Sequence, residues 1–352
     1  MNSTATTVLV TGASGYIAGW IIKELLDQGH TVHGTVRDPN KSKSVDHLHK
    51  MASSAPGTLK LFKADLLDVD AFDAAMQGCS IVMHTASPFI IDGYSDAFEA
   101  LVRPAVEGTR NVLEAVNRCS TVTRVVLTSS VASVFGDNTD LKKAAKTAFD
   151  ENDWNTTSSV DHNPYQFSKV EAERKAWEIQ KAQTQWDLVT INPGMVYGPS
   201  LTTASNSASI DTLVQMGDGR LRTGVPNLGY GVVDVRDVAH AHLLAAFNKD
   251  AKGRYILVNR VLTMLGIAKI LRNTFGNKYP FPRMQAPKLV VWAMGPLLGP
   301  VTRKFVSRNV GHIVKFDHSR SEQLGVKYRP IEQTLAEHFQ QALDDGLVKK
   351  RS

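Results

Sequence analysis

Tyr165 and Lys169 stand four residues apart in the segment HNPYQFSK, whose pattern predicts a helix, so the two side chains share one face. A free phenol titrates near ~10 and is a poor match to neutral pH, but an ammonium held beside it favours the phenolate. Such a pair could exchange a proton with an oxygen that gains charge during a reaction. Three hydroxyls, Ser129, Ser130 and Ser133, follow the apolar run Val125–Thr128 and could orient that oxygen and share its charge. Neither group moves electrons, so if they served the reduction of a carbonyl a bound hydride donor would also be needed.

The N-terminus carries the signal of one. Val8, Leu9 and Val10 read as a parallel strand buried on both faces. The chain then turns at Gly12 and Gly15, with Ala18 as a third small residue. That spacing allows a tight turn, a close backbone approach to a pyrophosphate, and close packing of helix on strand. Ile17, Ile21 and Leu25 give the next helix an apolar face, and its N-terminal N–H groups are left to meet an anion. Gly12, Ser14, Gly15, Tyr16 and Ile17 are therefore the expected contacts of a dinucleotide. A second strand, Thr31–Val36, ends at Arg37, where an acid would suit the ribose of NAD. A guanidinium with Lys41 or Lys43 nearby suits the 2′-phosphate of NADP, with Asp38 as the competing residue. NADPH/NADP+ is the expected cofactor.

The elements that must position these groups alternate along the chain. Further strands are expected at Leu59–Phe62, Ser80–His84, Val125–Thr128, Leu188–Asn192 and Tyr255–Val258, with helical periodicity between them, as within Ser95–Arg118. Asp68 is the expected cap of a helix that turns Phe72, Ala75 and Met76 to the sheet. Asn163 and Pro164 read as the cap and first position of the Tyr165 helix, after a long polar loop from Asp137. The pattern implies an α/β fold: a Rossmann-type, doubly wound parallel sheet with a smaller, mostly helical C-terminal substrate domain. Residues 1–193 plus 232–260 are assigned to the first part, and 194–231 plus 261–352 to the second. Ligands of such sheets lie beyond the C-terminal strand ends. That rule adds Asp65, Leu66, Thr85, Ala86, Ser87, Pro193 and Val196 to the cofactor set, while His84 reads as a packed strand-end residue. Phe89, Val131, Phe135, Met195, Val196 and Tyr197 are the candidate pocket wall around Ser130 and Tyr165, apolar enough for a substrate with a hydrophobic side.

Composition excludes several classes. The chain has 352 residues, a formal charge of +6 and scattered basic residues, with a dense run only at Lys349-Lys350-Arg351, so nucleic acid is not an expected partner. Cys79 and Cys119 have no metal-ligand spacing and cannot staple a chain of this size, which fits a reducing compartment and no metal. No signal peptide is evident, and Leu289–Val301 is too short and too interrupted to span a bilayer, so a cytoplasmic protein with no membrane partner is expected. The apolar Leu289–Leu298 stretch is expected to line the site or to pack between subunits of a homodimer; a monomer is the alternative.

With these residues in view the chain resembles the extended short-chain dehydrogenase/reductases. It is most similar to the branch that holds plant dihydroflavonol 4-reductases, cinnamoyl-CoA reductases and the yeast methylglyoxal/isovaleraldehyde reductase. TGASGYIAGW, TVRDP, HTASPF, RVVLTSSVASVF, YQFSK, NPGMVYGP and VDVRDVAHAH are similar to family blocks and follow the family's order. The resemblance implies a Ser-Tyr-Lys catalytic set, matched here by Ser130, Tyr165 and Lys169. It also implies NADPH-dependent reduction of a small aldehyde, ketone or keto-ester, with Tyr165 as general acid and Lys169 bonding the nicotinamide ribose and lowering the pKa of Tyr165. Two departures narrow the substrate. HNPYQFSK replaces the NWYCYGK signature of the cinnamoyl-CoA reductases, which argues against a CoA thioester, and the flavonoid-contacting region of the plant reductases is not recognisable around Asp137–Asn163. The competing functions are a sugar-nucleotide epimerase or dehydratase on the same scaffold and a non-catalytic NADP-sensing regulator.

Overall fold

Aliphatic and β-branched runs build the centre of the molecule. The computed structural model describes residues 5–87, 95–202, 207–298 and 301–349. Its strands are β1 (Thr7–Thr11), β2 (Thr31–Val36), β3 (Thr58–Lys63), β4 (Ile81–His84), β5 (Arg124–Thr128), β6 (Asp187–Pro193), β7 (Met195–Tyr197), β8 (Gly229–Asp234), β9 (Gly253–Leu257) and β10 (Arg260–Thr263). Its helices are α1 (Tyr16–Asp27), α2 (Ser42–Ser53), α3 (Asp73–Met76), α4 (Arg103–Arg118, entered through a π-helical turn at Phe98–Val102), α5 (Asp140–Lys143) and α6 (Pro164–Lys181). They continue with α7 (Ala208–Asp218), α8 (Val235–Phe247), α9 (Met264–Phe275), α10 (Lys288–Leu298), α11 (Arg303–Asn309), α12 (Ser319–Leu324) and α13 (Ile331–Asp344).

Seven strands form one parallel sheet in the order β3-β2-β1-β4-β5-β6-β9. Parallel strands require crossovers, and helices on both faces supply them. Side chains alternate along β1 accordingly. Val8 and Val10 join Ile21, Leu25 and the α8 residues Val238 and Leu243 on one face, while Leu9 joins Phe72, Met76, Val112 and Val116 on the other. The order reverses at β1, whose neighbours are β2 and β4, and this puts a crevice beyond the ends of β1 and β4.

A three-stranded sheet, β10-β8-β7, carries the second lobe with α7, α9 and α13. Its core closes on Phe339, whose ring lies 4.9 Å from Phe275 and 5.0 Å from Phe281 between centroids. Three details differ from the sequence expectation. Residues 232–234 pair in the small sheet through β8, because a strand that runs directly into α8 mimics one more unit of the main sheet. Asp68 does not cap α3, which starts only at Asp73; its carbonyl instead accepts from Ala71 N–H in a turn, while Phe72, Ala75 and Met76 face the sheet. Asn163 precedes α6 in the left-handed conformation (φ 57°), and its side chain donates to Gly136 O (2.9 Å) rather than capping the helix.

Candidate active site

The turn after β1 has the shape a phosphate requires. Gly12 has φ +68°, and a Cβ there would lie 3.1 Å from Ala86 Cα; a Cβ on Gly15 would lie 3.0 Å from Gly12 O. Gly15 N–H donates to that same oxygen at 2.8 Å, which fixes the turn. No side chain caps α1 and its first turn holds no acid, so the helix presents backbone N–H groups to this hollow. A dinucleotide pyrophosphate fits such a cradle. The side chains of Tyr16 and Ile17 are engaged elsewhere: the Tyr16 hydroxyl donates to Gly198 O at 2.5 Å, and Ile17 packs on the core. Arg37 and Lys41 are exposed beyond β2, and Asp38 is engaged in its own turn, accepting from Asn40 N–H at 2.9 Å. Beyond β3, Asp65 Oδ1 accepts from Leu67 N–H (3.0 Å), and Leu66 packs under Gly108 with its carbonyl held by Asn111 Nδ2 (2.9 Å).

The ends of β1 and β4 are sewn together by one threonine. Thr11 Oγ1 accepts from Thr85 N–H and Ala86 N–H, both at 3.1 Å, and lies 2.8 Å from His84 Nδ1. Burial, aided by the Lys169 charge, pulls His84 down to about 3, so it is a neutral packed residue. Lys169 reaches this edge from α6 and donates to Ser87 Oγ at 2.8 Å. Its Nζ is also 5.6 Å from the centre of the Tyr165 ring. Here the expected electrostatics need correction. Burial pushes the Tyr165 hydroxyl up to about 12 and draws Lys169 down to about 8, so desolvation outweighs the ammonium in setting the phenol.

Ser130 stands apart from its rivals. It is half-buried at the C-terminal end of β5, and its Oγ accepts from Ala132 N–H (3.1 Å) at the start of a short 3-10 turn, Val131–Ser133, against which α6 packs. Ser129 and Ser133 turn inward and donate to Glu173 Oε2, each at 2.5 Å. Glu173 is fully buried on α6, one turn beyond Lys169. It also accepts from Asn192 Nδ2 (2.8 Å) and pairs with Arg254 Nε of β9 (2.7 Å). Burial alone would raise its carboxyl, but the Arg254 charge and these hydrogen bonds hold it below the usual carboxylate range. Arg254 in turn donates to Glu151 O (2.9 Å) and Asp153 O (2.5 Å) and stacks 4.0 Å from the centre of the Trp154 ring.

The substrate side is less uniform. Val131 and Phe135 are partly buried beside the 3-10 turn, with Phe135 stacked on Phe149 at 5.1 Å and edge-on to Phe316 at 5.5 Å. Met195 and Val196 are half-buried after β6, and Pro193 is its last residue. Tyr197 does not join them: its ring is fully buried in the core of the second lobe and its hydroxyl lies 3.4 Å from Met195 Sδ. Met195 shares that face of β7 and packs on the same core, whereas Val196 points the other way; full burial removes Tyr197 from the pocket wall. Phe89 lies outside the described residues. Among the described residues no group of three or more His, Cys, Asp or Glu could hold a metal ion.

The sequence profile of the NAD dependent epimerase/dehydratase family matches residues 8–259. The chain belongs to this family. Within it the chain falls in the reductase branch of the extended short-chain dehydrogenase/reductases. It is 38% identical to a cinnamoyl-CoA reductase of Medicago truncatula over 94% of this chain and 93% of that protein. It is 34% identical to the dihydroflavonol 4-reductase of Arabidopsis thaliana over 80% of this chain and 71% of that protein. Its fold superposes on the yeast methylglyoxal/isovaleraldehyde reductase complexed with NADPH with a TM-score of 0.78 at 28% identity, covering 97% of this chain and all of that one (100%).

Two clusters of this family member escaped the sequence reading. Glu173 continues the Tyr165, Lys169 spacing by four, and a carboxylate on the sheet-facing side of a helix was the available signal. The second is Asp137, buried at the start of the long loop. Its carboxylate meets His162 Nε2 (2.9 Å), Asn309 Nδ2 (2.8 Å) and Arg308 Nη1 (3.0 Å), so it joins the loop to α11. Burial works to raise that carboxyl, but hydrogen bonds from His162, Asn309 and Arg308 bring it below its ordinary value. Nothing in the spacing of residues 137, 162 and 308 marks them as neighbours.

Proposed function

We propose that the protein is an NADPH-dependent carbonyl reductase that transfers a hydride to an aldehyde, ketone or keto-ester with an apolar side. The observation that carries this reading is the meeting of Ser130, Lys169 and the Gly12–Ala86 cradle on one sheet edge, with Tyr165 one helical turn before Lys169. Bound NADPH supplies the hydride. Residues of the chain do the rest. Gly12, Ser14, Gly15 and the backbone of Tyr16 and Ile17 receive the pyrophosphate, and Arg37 with Lys41 receives the 2′-phosphate. Asp65 and Leu66 serve the adenine end, while Thr85, Ala86, Ser87, Pro193 and Val196 complete the cofactor set. Ser130 Oγ holds the substrate oxygen. Burial keeps the Tyr165 proton in place up to about pH 12, so the phenol is loaded as an acid at neutral pH. It gives up that proton as charge grows on the oxygen, and the Lys169 ammonium lies close enough to stabilise the phenolate left behind. Lys169 is charged below about pH 8, which suits that role at neutral pH.

Residues 1–193 plus 232–260 are proposed as the cofactor-binding part and the remainder as the substrate part, with residues 232–234 of β8 and Arg260 of β10, which pair in the small sheet, as the exception. A cytoplasmic monomer or homodimer belongs to the same proposal. The decisive assay is NADPH consumption with aldehydes, ketones, diketones, a dihydroflavonol and a cinnamoyl-CoA ester, beside a UDP-sugar. Consumption with simple carbonyl compounds supports the reading. Turnover of the UDP-sugar alone would favour an epimerase, and binding without any turnover would favour a sensor.

A further inference from the structure

Between residues 251 and 316 the chain contains twelve Lys or Arg and no Asp or Glu. In the middle of this stretch lies α10, the most apolar helix of the second lobe, and it is barely buried. Leu289 is 75% exposed, Val290 51%, Met294 42% and Trp292 37%, with Met284 at 60% just before the helix. Among its described side-chain positions only Gly295, against Val301, is buried and Val291 partly so, one turn apart; α10 rests against α11. An apolar helix left open on most of its circumference is the pattern of a surface that another phase covers. Its rim is cationic. Arg283, Lys288, Arg303 and Lys304 are all exposed, and no ion pair involves them among the described residues. Arg303 lies 4.6 Å from the centre of the Trp292 ring, so a cation and an indole are presented together.

We propose that α10, with its basic rim, docks the protein on an anionic lipid surface. Charge selects this occupant. A second copy meeting the same face would set cations against cations with no acid in the stretch to pair them, whereas phosphate and serine headgroups complement them. Apolar side chains of α10 would enter the interface, Trp292 would sit at headgroup level, and the long basic side chains would reach outward to the phosphates. This is attachment along the interface; no helix among the described residues is long and apolar enough to cross a membrane. It departs from the sequence expectation of no membrane partner, which the vesicle test decides. Arg308 and Asn309 of α11, against which α10 packs, tie this face to Asp137 at the start of the long loop before α6.

The test is flotation of the full chain with vesicles of phosphatidylcholine alone or mixed with phosphatidylserine, at low and high salt. Binding to the anionic vesicles is expected, weakening steeply as salt rises, with each lost cation costing about fivefold. The double variant Leu289→Glu, Trp292→Glu should lose at least about tenfold in partitioning, and so should Arg303→Glu, Lys304→Glu. All four side chains are exposed and outside the catalytic set, so a carbonyl turnover equal to that of the parent chain will show that the variants are folded. Equal flotation of parent and variants, or none with anionic vesicles, would overturn the proposal. So would a dimer seen by sedimentation velocity that Leu289→Glu, Trp292→Glu dissolves while vesicle binding is absent.

Discussion

Around Ser130 a buried carboxylate gathers Ser129, Ser133, Asn192 and Arg254 onto itself, while around Trp292 large apolar side chains face outward between unpaired cations. One region has its polar groups inside and the other its apolar groups outside. The difference fits what each is proposed to do. Proton transfer tolerates little displacement of the reacting groups, and an interior network tied to three strands and α6 fixes them. A contact surface needs area and sign of charge, not fixed positions.

The comparison breaks most visibly at the chemistry itself. Tyr165→Phe retains the ring and removes the proton, so turnover should fall by roughly two to four orders of magnitude while NADPH binding, followed by fluorescence titration, is retained. Near-normal carbonyl reduction by this variant would remove the catalytic assignment. Next comes the interior network. Glu173→Ala leaves the Arg254 charge buried and unpaired, which should cost about 3 to 5 kcal/mol in urea unfolding. Glu173→Gln should lose less stability but still lower kcat more than it raises KM, because it acts by positioning Ser130 and α6. Arg37→Ala lies at the rim and should weaken NADPH about ten- to a hundredfold by calorimetry and leave NADH nearly unchanged. The smallest effect is on pH dependence. Lys169 loses its charge as pH rises through about 8, so reduction should decline above that point by no more than about tenfold per unit, and Lys169→Arg should move the decline upward.

Much of this architecture was legible in the chain. Val8, Leu9 and Val10 fall in β1 because burial on both faces demands an uninterrupted apolar and β-branched run, and Gly12 was marked by a turn that only glycine enters without strain. Ser130 could not be separated from Ser129 and Ser133 by spacing, since only the direction of each hydroxyl distinguishes them. Glu173 and Arg254 were missed for a general reason: a charge within a helix or strand pattern normally marks the solvent face, and a buried pair 81 residues apart leaves no local trace. Tyr197 was misplaced because its position after β6 is shared with half-buried Met195 and Val196, and only the packing of the second lobe shows that its ring is core.

Cys79 and Cys119 sit in the apolar layer between the sheet and α3 and α4, both unpaired and buried, with burial pushing the Cys79 thiol up to about 12. Neither is attacked while that layer stays closed, because the reactive species is the exposed thiolate. The two sulfurs are therefore a built-in clock. The rate at which an aromatic disulfide reagent labels them counts how often the α3–α4 face lifts from the sheet. NADPH, gripped at the far end of the same strands, should slow that clock without touching either cysteine.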